Sequence, residues 1–112
     1  NIFIIINVNS FMDFNEYQEK ARKTDLGHEI NYYFLGLTEE AGEVAGKRKR
    51  YLRDEGKIDR EDLCKELGDV LWYTSQIADK YNISLKEVAE MNIIKLEDRK
   101  KRGVLKGIGD NR

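Results

Sequence analysis

Leu37-Thr38-Glu39-Glu40-Ala41-Gly42-Glu43-Val44-Ala45 sits in the middle of a stretch, Tyr32 to Asp54, with helical periodicity. Phe34, Leu37, Ala41, Val44, Ala45, Arg48, Tyr51 and Leu52 fall on one side of a wheel at about 100° per residue, so the stretch reads as one long helix. Gly36, Gly42 and Gly46 interrupt it, each costing about 1 kcal/mol against alanine in a helix. Three such costs point to close approach by another helix or by a ligand. Gly56 marks the expected stop.

The flanking sequence continues the pattern. Upstream, Asp13 and Glu16 have capping-box spacing and Phe14, Tyr17 and Ala21 share a face, which predicts a helix over about 13–24. Asp25 to Asn31, with Gly27, reads as a loop. Downstream, Asp59 opens a third helix that runs to about Tyr81, with Leu63, Leu67, Val70, Leu71, Ile77, Ala78 and Tyr81 as its core stripe. Asn82 ends it. Ser84 and Glu87 form a second capping box, opening a fourth helix from Leu85 to about Lys101. Gly103, Gly107 and Gly109 then punctuate what reads as a flexible tail. The expectation is an all-α, four-helix bundle-like domain over 12–112, with two long central helices.

The chain has 112 residues, none of them proline, which suits one helical domain. Charged residues make up 37%, yet 20 basic and 21 acidic side chains leave a net charge of −1, without the basic field of a non-specific nucleic-acid binder. The single cysteine, Cys64, excludes an intrachain disulfide and a cysteine-based zinc site, and fits a reducing cytoplasm. It is expected to be buried or inert. Asn1-Ile2-Phe3-Ile4-Ile5-Ile6-Asn7-Val8-Asn9-Ser10-Phe11 stands apart. This run falls far short of the roughly 20 apolar residues that span a bilayer. It also lacks the basic start and cleavage site of a signal peptide. Its β-branched content suggests a strand or extended arm packed on a neighbour, and Met12 reads as the natural initiator.

Acidic residues carry the chemistry. Glu40 and Glu43 lie three apart on the second helix, as do Glu66 and Asp69 on the third, so each pair faces one way. If the two helices are antiparallel neighbours, four carboxylates converge and repel unless a cation or a proton intervenes. All-oxygen donors suit magnesium or manganese, and the lack of histidine at either motif argues against zinc or a di-iron site. In so charged a chain, glutamate pairs at this spacing usually belong to a solvated surface. Two such pairs on the two longest helices, beside glycines and the core stripe, favour metal.

The fourth helix carries a second unusual face. Asn92 shares a side with Leu85, Val88, Ala89 and Leu96, in the middle of the expected inward stripe, with Arg99 near that line and Lys95 at its edge. Such groups are costly to bury unless anions meet them, and phosphate oxygens would do so. The alternative is pairing with carboxylates of the second and third helices. The Lys47-Arg48-Lys49-Arg50 run reads as a solvated face that can also steer a polyanion.

Together, Leu37-Thr38-Glu39-Glu40-Ala41-Gly42-Glu43-Val44, Glu66-Leu67-Gly68-Asp69-Val70-Leu71-Trp72-Tyr73 and Asn92-Ile93-Ile94-Lys95-Leu96-Glu97-Asp98-Arg99 resemble the MazG-like nucleotide pyrophosphohydrolases of the all-α NTP pyrophosphatase superfamily. The likeness covers about 12–112. It implies Mg²⁺-dependent hydrolysis, with Mn²⁺ as a substitute, of (deoxy)nucleoside triphosphates between the α and β phosphorus, giving a monophosphate and pyrophosphate. Glu40, Glu43, Glu66 and Asp69 would then ligate the metal. Glu39 would bind a further ion or orient the attacking water, and Asn92, Lys95 and Arg99 would hold the phosphates. The resemblance also implies a homodimer or a dimer of dimers, while the charge balance and the short apolar run speak against nucleic acid and membrane as partners. His28, Trp72 and Tyr73 are candidates for the base or sugar, although a loop role for His28 and core or interface roles for the other two fit as well. House-cleaning of non-standard nucleotides, dUTP/dCTP-type or phosphoribosyl-ATP hydrolysis, and a non-catalytic helical interaction module all remain open on sequence.

Overall fold

The computed structural model describes residues 12–112; the expected arm over 1–11 lies outside the described residues. Four helices and no strands make up the described chain: α1 (Phe14–Arg22), α2 (Ile30–Asp54), α3 (Arg60–Lys80) and α4 (Leu85–Lys101). The caps act as their spacing predicts. Asp13 accepts from the Glu16 amide at 2.8 Å, Asp59 from the Glu61 amide at 3.0 Å, and Ser84 from the Glu87 amide at 3.0 Å. Each satisfies an amide that the first helical turn leaves without a partner. At the end of α2 the left-handed residue is Glu55 (φ 55°) rather than Gly56, whose amide bonds back to the Tyr51 carbonyl.

The five residues between α2 and α3 turn the chain into a helical hairpin. Its antiparallel register is visible in the pairs across the seam: Lys47 meets Asp62, Glu40 meets Asp69, and Gly36 meets Tyr73. Gly36 is required there. A Cβ at this position would fall 2.1 Å from the Tyr73 ring, so the glycine lets the aromatic side chain lie on the α2 backbone. Gly42 has open space instead, and a Cβ at Gly46 would touch only Arg50 of its own helix. Of the three helical glycines, then, one answers to close packing within the described chain.

Helix α3 is the hub. α1 and α4 pack on it and on each other, while α2 packs on α3 alone. Polar groups do much of the fastening. The buried Gln18 side chain donates to the Ile83 carbonyl (3.0 Å) and accepts from the Leu85 amide (2.9 Å), tying α1 to the α3–α4 turn. Gln76 donates to the Ala21 carbonyl, and Arg22 grips Asp79 through two nitrogens. Among the described apolar side chains only Ala21, Tyr33, Ala78 and Leu85 are fully buried. Leu35, Leu52 and Leu67 stay exposed, as do Met91, Ile93 and Ile94 of α4. Within the stripes expected to face inward, Phe34 and Leu52 of α2, Leu67 of α3, and Val88 and Leu96 of α4 are exposed, so those stripes are only partly covered. No helix among the described residues is long and apolar enough to cross a membrane.

The loop before α2 is anchored at Asp25. Its carboxylate accepts from the buried Tyr33 hydroxyl (2.5 Å), the Lys80 ammonium (2.5 Å) and the Gly27 amide (3.2 Å). Burial pushes the Asp25 carboxyl up, but the bonds from Lys80, Tyr33 and Gly27 outweigh it and hold the group at about 2. A carboxyl depressed in the folded state contributes stability above its ordinary value of 3.8, and that contribution is lost as pH falls towards 2. Asp25→Asn is therefore expected to lower stability at neutral pH by about 1–3 kcal/mol. Its deficit against the native chain should shrink as the pH is lowered through that window, as measured by urea unfolding.

Candidate functional site

The hairpin register brings Glu40 from α2 into one group with Glu66 and Asp69 from α3. One carboxylate oxygen from each lies within 4.8 Å of the other two. The spacing follows from the helices themselves: Glu66 and Asp69 are neighbours on one face, and the antiparallel seam sets Glu40 opposite them. Burial raises the Glu40 carboxyl above its ordinary value, and Asp69, Glu66, Glu39 and Glu43 raise it further, in that order. A half-buried acid ringed by acids is a site short of positive charge, which fits a hard divalent cation with oxygen ligands.

Glu39 and Glu43 are exposed on α2 beside this group and are not members of it, although both add to the field at Glu40. Two further residues reach the centre. Lys47 lies in the seam, donating to Asp62 at 2.6 Å and standing 3.8 Å from Glu66; the Asp62 bond holds its ammonium above the ordinary value. Tyr17 of α1 lies close enough that the Asp69 charge adds to burial in raising its hydroxyl. Lys47 is one turn beyond Glu43, a spacing visible in the sequence, but its place in a four-residue basic run pointed to solvent. Tyr17 gives no signal without knowing that α1 packs on α3.

One turn from the carboxylates the aromatic residues gather. His28 stacks on Tyr32 with ring centres 3.9 Å apart, Tyr32 neighbours Tyr73 at 6.2 Å, and Trp72 meets Tyr73 edge-on at 4.9 Å. The three side chains proposed from sequence for the base or sugar, His28, Trp72 and Tyr73, thus share one cluster, with Tyr32 as the link between them. Tyr73 is pushed up to about 12 by its hydrogen bond with Tyr32, by burial and by the Glu40 and Glu39 charges, which places the cluster beside the acidic centre. The Trp72 indole N–H is already committed to the Thr24 hydroxyl at 2.8 Å.

The α4 residues are arranged differently. Arg99 is buried, but Asn92 is exposed on a shallow groove with Ile83, Val88, Met91 and Lys95 rather than in the middle of an inward stripe. The pitch of α4 turns Leu85 and Arg99 inward, and leaves Val88 and Leu96 partly open. Lys95 and Arg99 both pair with Asp110 of the C-terminal segment, not with carboxylates of α2 or α3. Cys64 is exposed, against the expected burial.

Comparison with known proteins places the chain in a family. Residues 28–104 match the model of the MazG nucleotide pyrophosphohydrolase domain, a span that holds both acidic motifs and the aromatic cluster. The chain belongs to this family. It is 46% identical over 87 residues to the Gene 37 protein of Mycobacterium phage L5, covering 74% of this chain and 76% of the phage protein. It is 32% identical over 93 residues to the uncharacterized protein YvdC of Bacillus subtilis (strain 168), covering 75% of this chain and 86% of that one. No solved structure matches.

The carboxylate repulsion has a direct consequence. In chelator at pH 7–8, Glu40→Gln is expected to raise the melting temperature above that of the native chain, because it removes the acid whose neighbours disfavour its charge. An unchanged or lower melting temperature would show that the three carboxylates do not meet.

Proposed function

We propose that this MazG-family protein is a Mg²⁺-dependent nucleoside triphosphate pyrophosphohydrolase that releases a monophosphate and pyrophosphate. The observation that carries the reading is the convergence of Glu40, Glu66 and Asp69 across the α2–α3 seam. Glu43, one turn along α2 and outside that group of three, is a further candidate ligand. When bound, a divalent ion offsets charge on the phosphate oxygens and activates water. Mn²⁺ carries the same hard-ligand preference and would serve in its place.

The chain's own residues then divide the work. Glu39, exposed beside Glu40, orients the attacking water or accepts its proton. Lys47 holds the rim of the acidic group by binding Asp62 and facing Glu66, which keeps Glu66 from turning to solvent. His28, Tyr32, Trp72 and Tyr73 offer aromatic surface to the base and sugar. Asn92, Lys95 and Arg99 bind the polyphosphate, Arg99 through its planar fork and Lys95 as a point charge. No nucleophilic side chain is needed, because phosphoryl chemistry of this kind runs on positioning and charge compensation.

The working unit is a homodimer or a dimer of dimers. Support comes from the large apolar side chains left uncovered on α2 and α4, with Leu35 71% and Ile94 66% exposed. Large apolar side chains left in water favour association when they gather into a patch.

The purified protein with Mg²⁺ is expected to release pyrophosphate from at least one common or modified (deoxy)nucleoside triphosphate, and to stop when the ion is chelated. Glu40→Gln and Asp69→Asn should each lower the rate on the order of 100-fold or more while the helical circular dichroism persists. Failure to release pyrophosphate from any member of a full substrate panel would remove the reading.

A further inference from the structure

The segment after α4, expected to be a flexible tail, folds back on the helix and is held there by three arginines. Arg112 donates to the carbonyls of Val104 (3.1 Å), Leu105 (3.0 Å) and Gly109 (2.5 Å), and Arg102 donates to the Arg112 carbonyl at 2.6 Å. Gly107 and Gly109 take φ values of 146° and 88°, which side chains with a Cβ rarely adopt, and these bends reverse the chain. The reversal delivers Asp110 to α4. Its carboxylate lies 3.1 Å from the Lys95 ammonium and 3.2 Å from Arg99 Nη2, and that same nitrogen takes the carbonyls of Gly109 and Asp110.

Two features distinguish this contact from an ordinary surface ion pair. Arg99 is only 4% exposed, and its buried Nε–H has no partner, so the guanidinium keeps unused capacity for an oxyanion. The Asp110 side chain, by contrast, is 81% exposed and touches the fold through its charge alone. The Lys95–Arg99 pair is thus filled by an acid whose side chain is mostly open to solvent.

We propose that Asp110 is an internal stand-in for phosphate, occupying the Lys95–Arg99 pair in the resting protein until a polyphosphate displaces it. The proposal rests on the phosphate-binding reading of that pair given above. A carboxylate offers one charge and two oxygens. A triphosphate offers several of each and can also meet the vacant Nε–H, so it outcompetes the tail where weaker anions do not. After release of the product anion the tail returns to its place, keeping the buried guanidinium paired between turnovers.

Calorimetric titration of the full chain with inorganic tripolyphosphate, in chelator so that the carboxylate centre takes no part, tests this. Asp110→Asn should bind about twofold to fivefold more tightly than the native chain, the range expected when an exposed ion pair no longer competes. Asp110→Glu, which keeps the charge, should bind like the native chain. Lys95→Met should bind more weakly, with or without the Asp110 change. Hydrogen exchange in residues 104–112 should quicken when tripolyphosphate is added to the native chain. If Asp110→Asn binds no better while Lys95→Met still weakens binding, the competition idea is overturned and the phosphate reading stands. If Lys95→Met changes nothing, or no variant binds tripolyphosphate, both fall together.

Discussion

Three carboxylates brought within 4.8 Å of one another across a helical hairpin are held there against their own repulsion, and the antiparallel seam of α2 and α3 supplies the force. Like charges at that distance cost stability unless a proton or a cation joins them. The seam is built to bear this. Tyr73 lies on the bare backbone of Gly36 at one end of the pairing, and Lys47 bonds Asp62 towards the other. The acids project from backbone held between these two fixed points.

The remainder of the chain is organised around keeping α3 in place. Hydrogen bonds of buried glutamines tie α1 to α3 and to the start of α4, an arrangement that specifies geometry more than it adds stability. Few apolar side chains are fully buried among the described residues, and much apolar surface on α2 and α4 stays open. A hairpin that presents an acidic seam together with uncovered apolar residues is suited to assembly, in line with the oligomer proposed for this MazG-family protein.

Helix boundaries were legible in the sequence wherever a cap announced them. Asp13, Asp59 and Ser84 open α1, α3 and α4 as their spacing predicts, and the absence of proline leaves the long helices unbroken. The meeting of Glu40 with Glu66 and Asp69 was legible too, because three-residue spacing and a short connection nearly determine an antiparallel register. Legibility failed where a residue's partner lies far along the chain. Asn92 shares an apolar side with Leu85 and Val88, yet α4 buries only its two ends deeply, so periodicity could not tell a covered stripe from an open one. Lys47 looked like solvated charge because its partners are on another helix. The tail looked loose because glycines permit either disorder or tight reversal, and only the carbonyl contacts of Arg112 show which applies.

A crystal soaked in Mn²⁺, with anomalous scattering recorded at the manganese edge, addresses the account at its centre. A peak between α2 and α3 with Glu40, Glu66 and Asp69 as direct ligands, lost in Glu40→Gln, is expected. A well-ordered crystal with no peak in the seam, or with these three side chains turned apart and facing water, would contradict it.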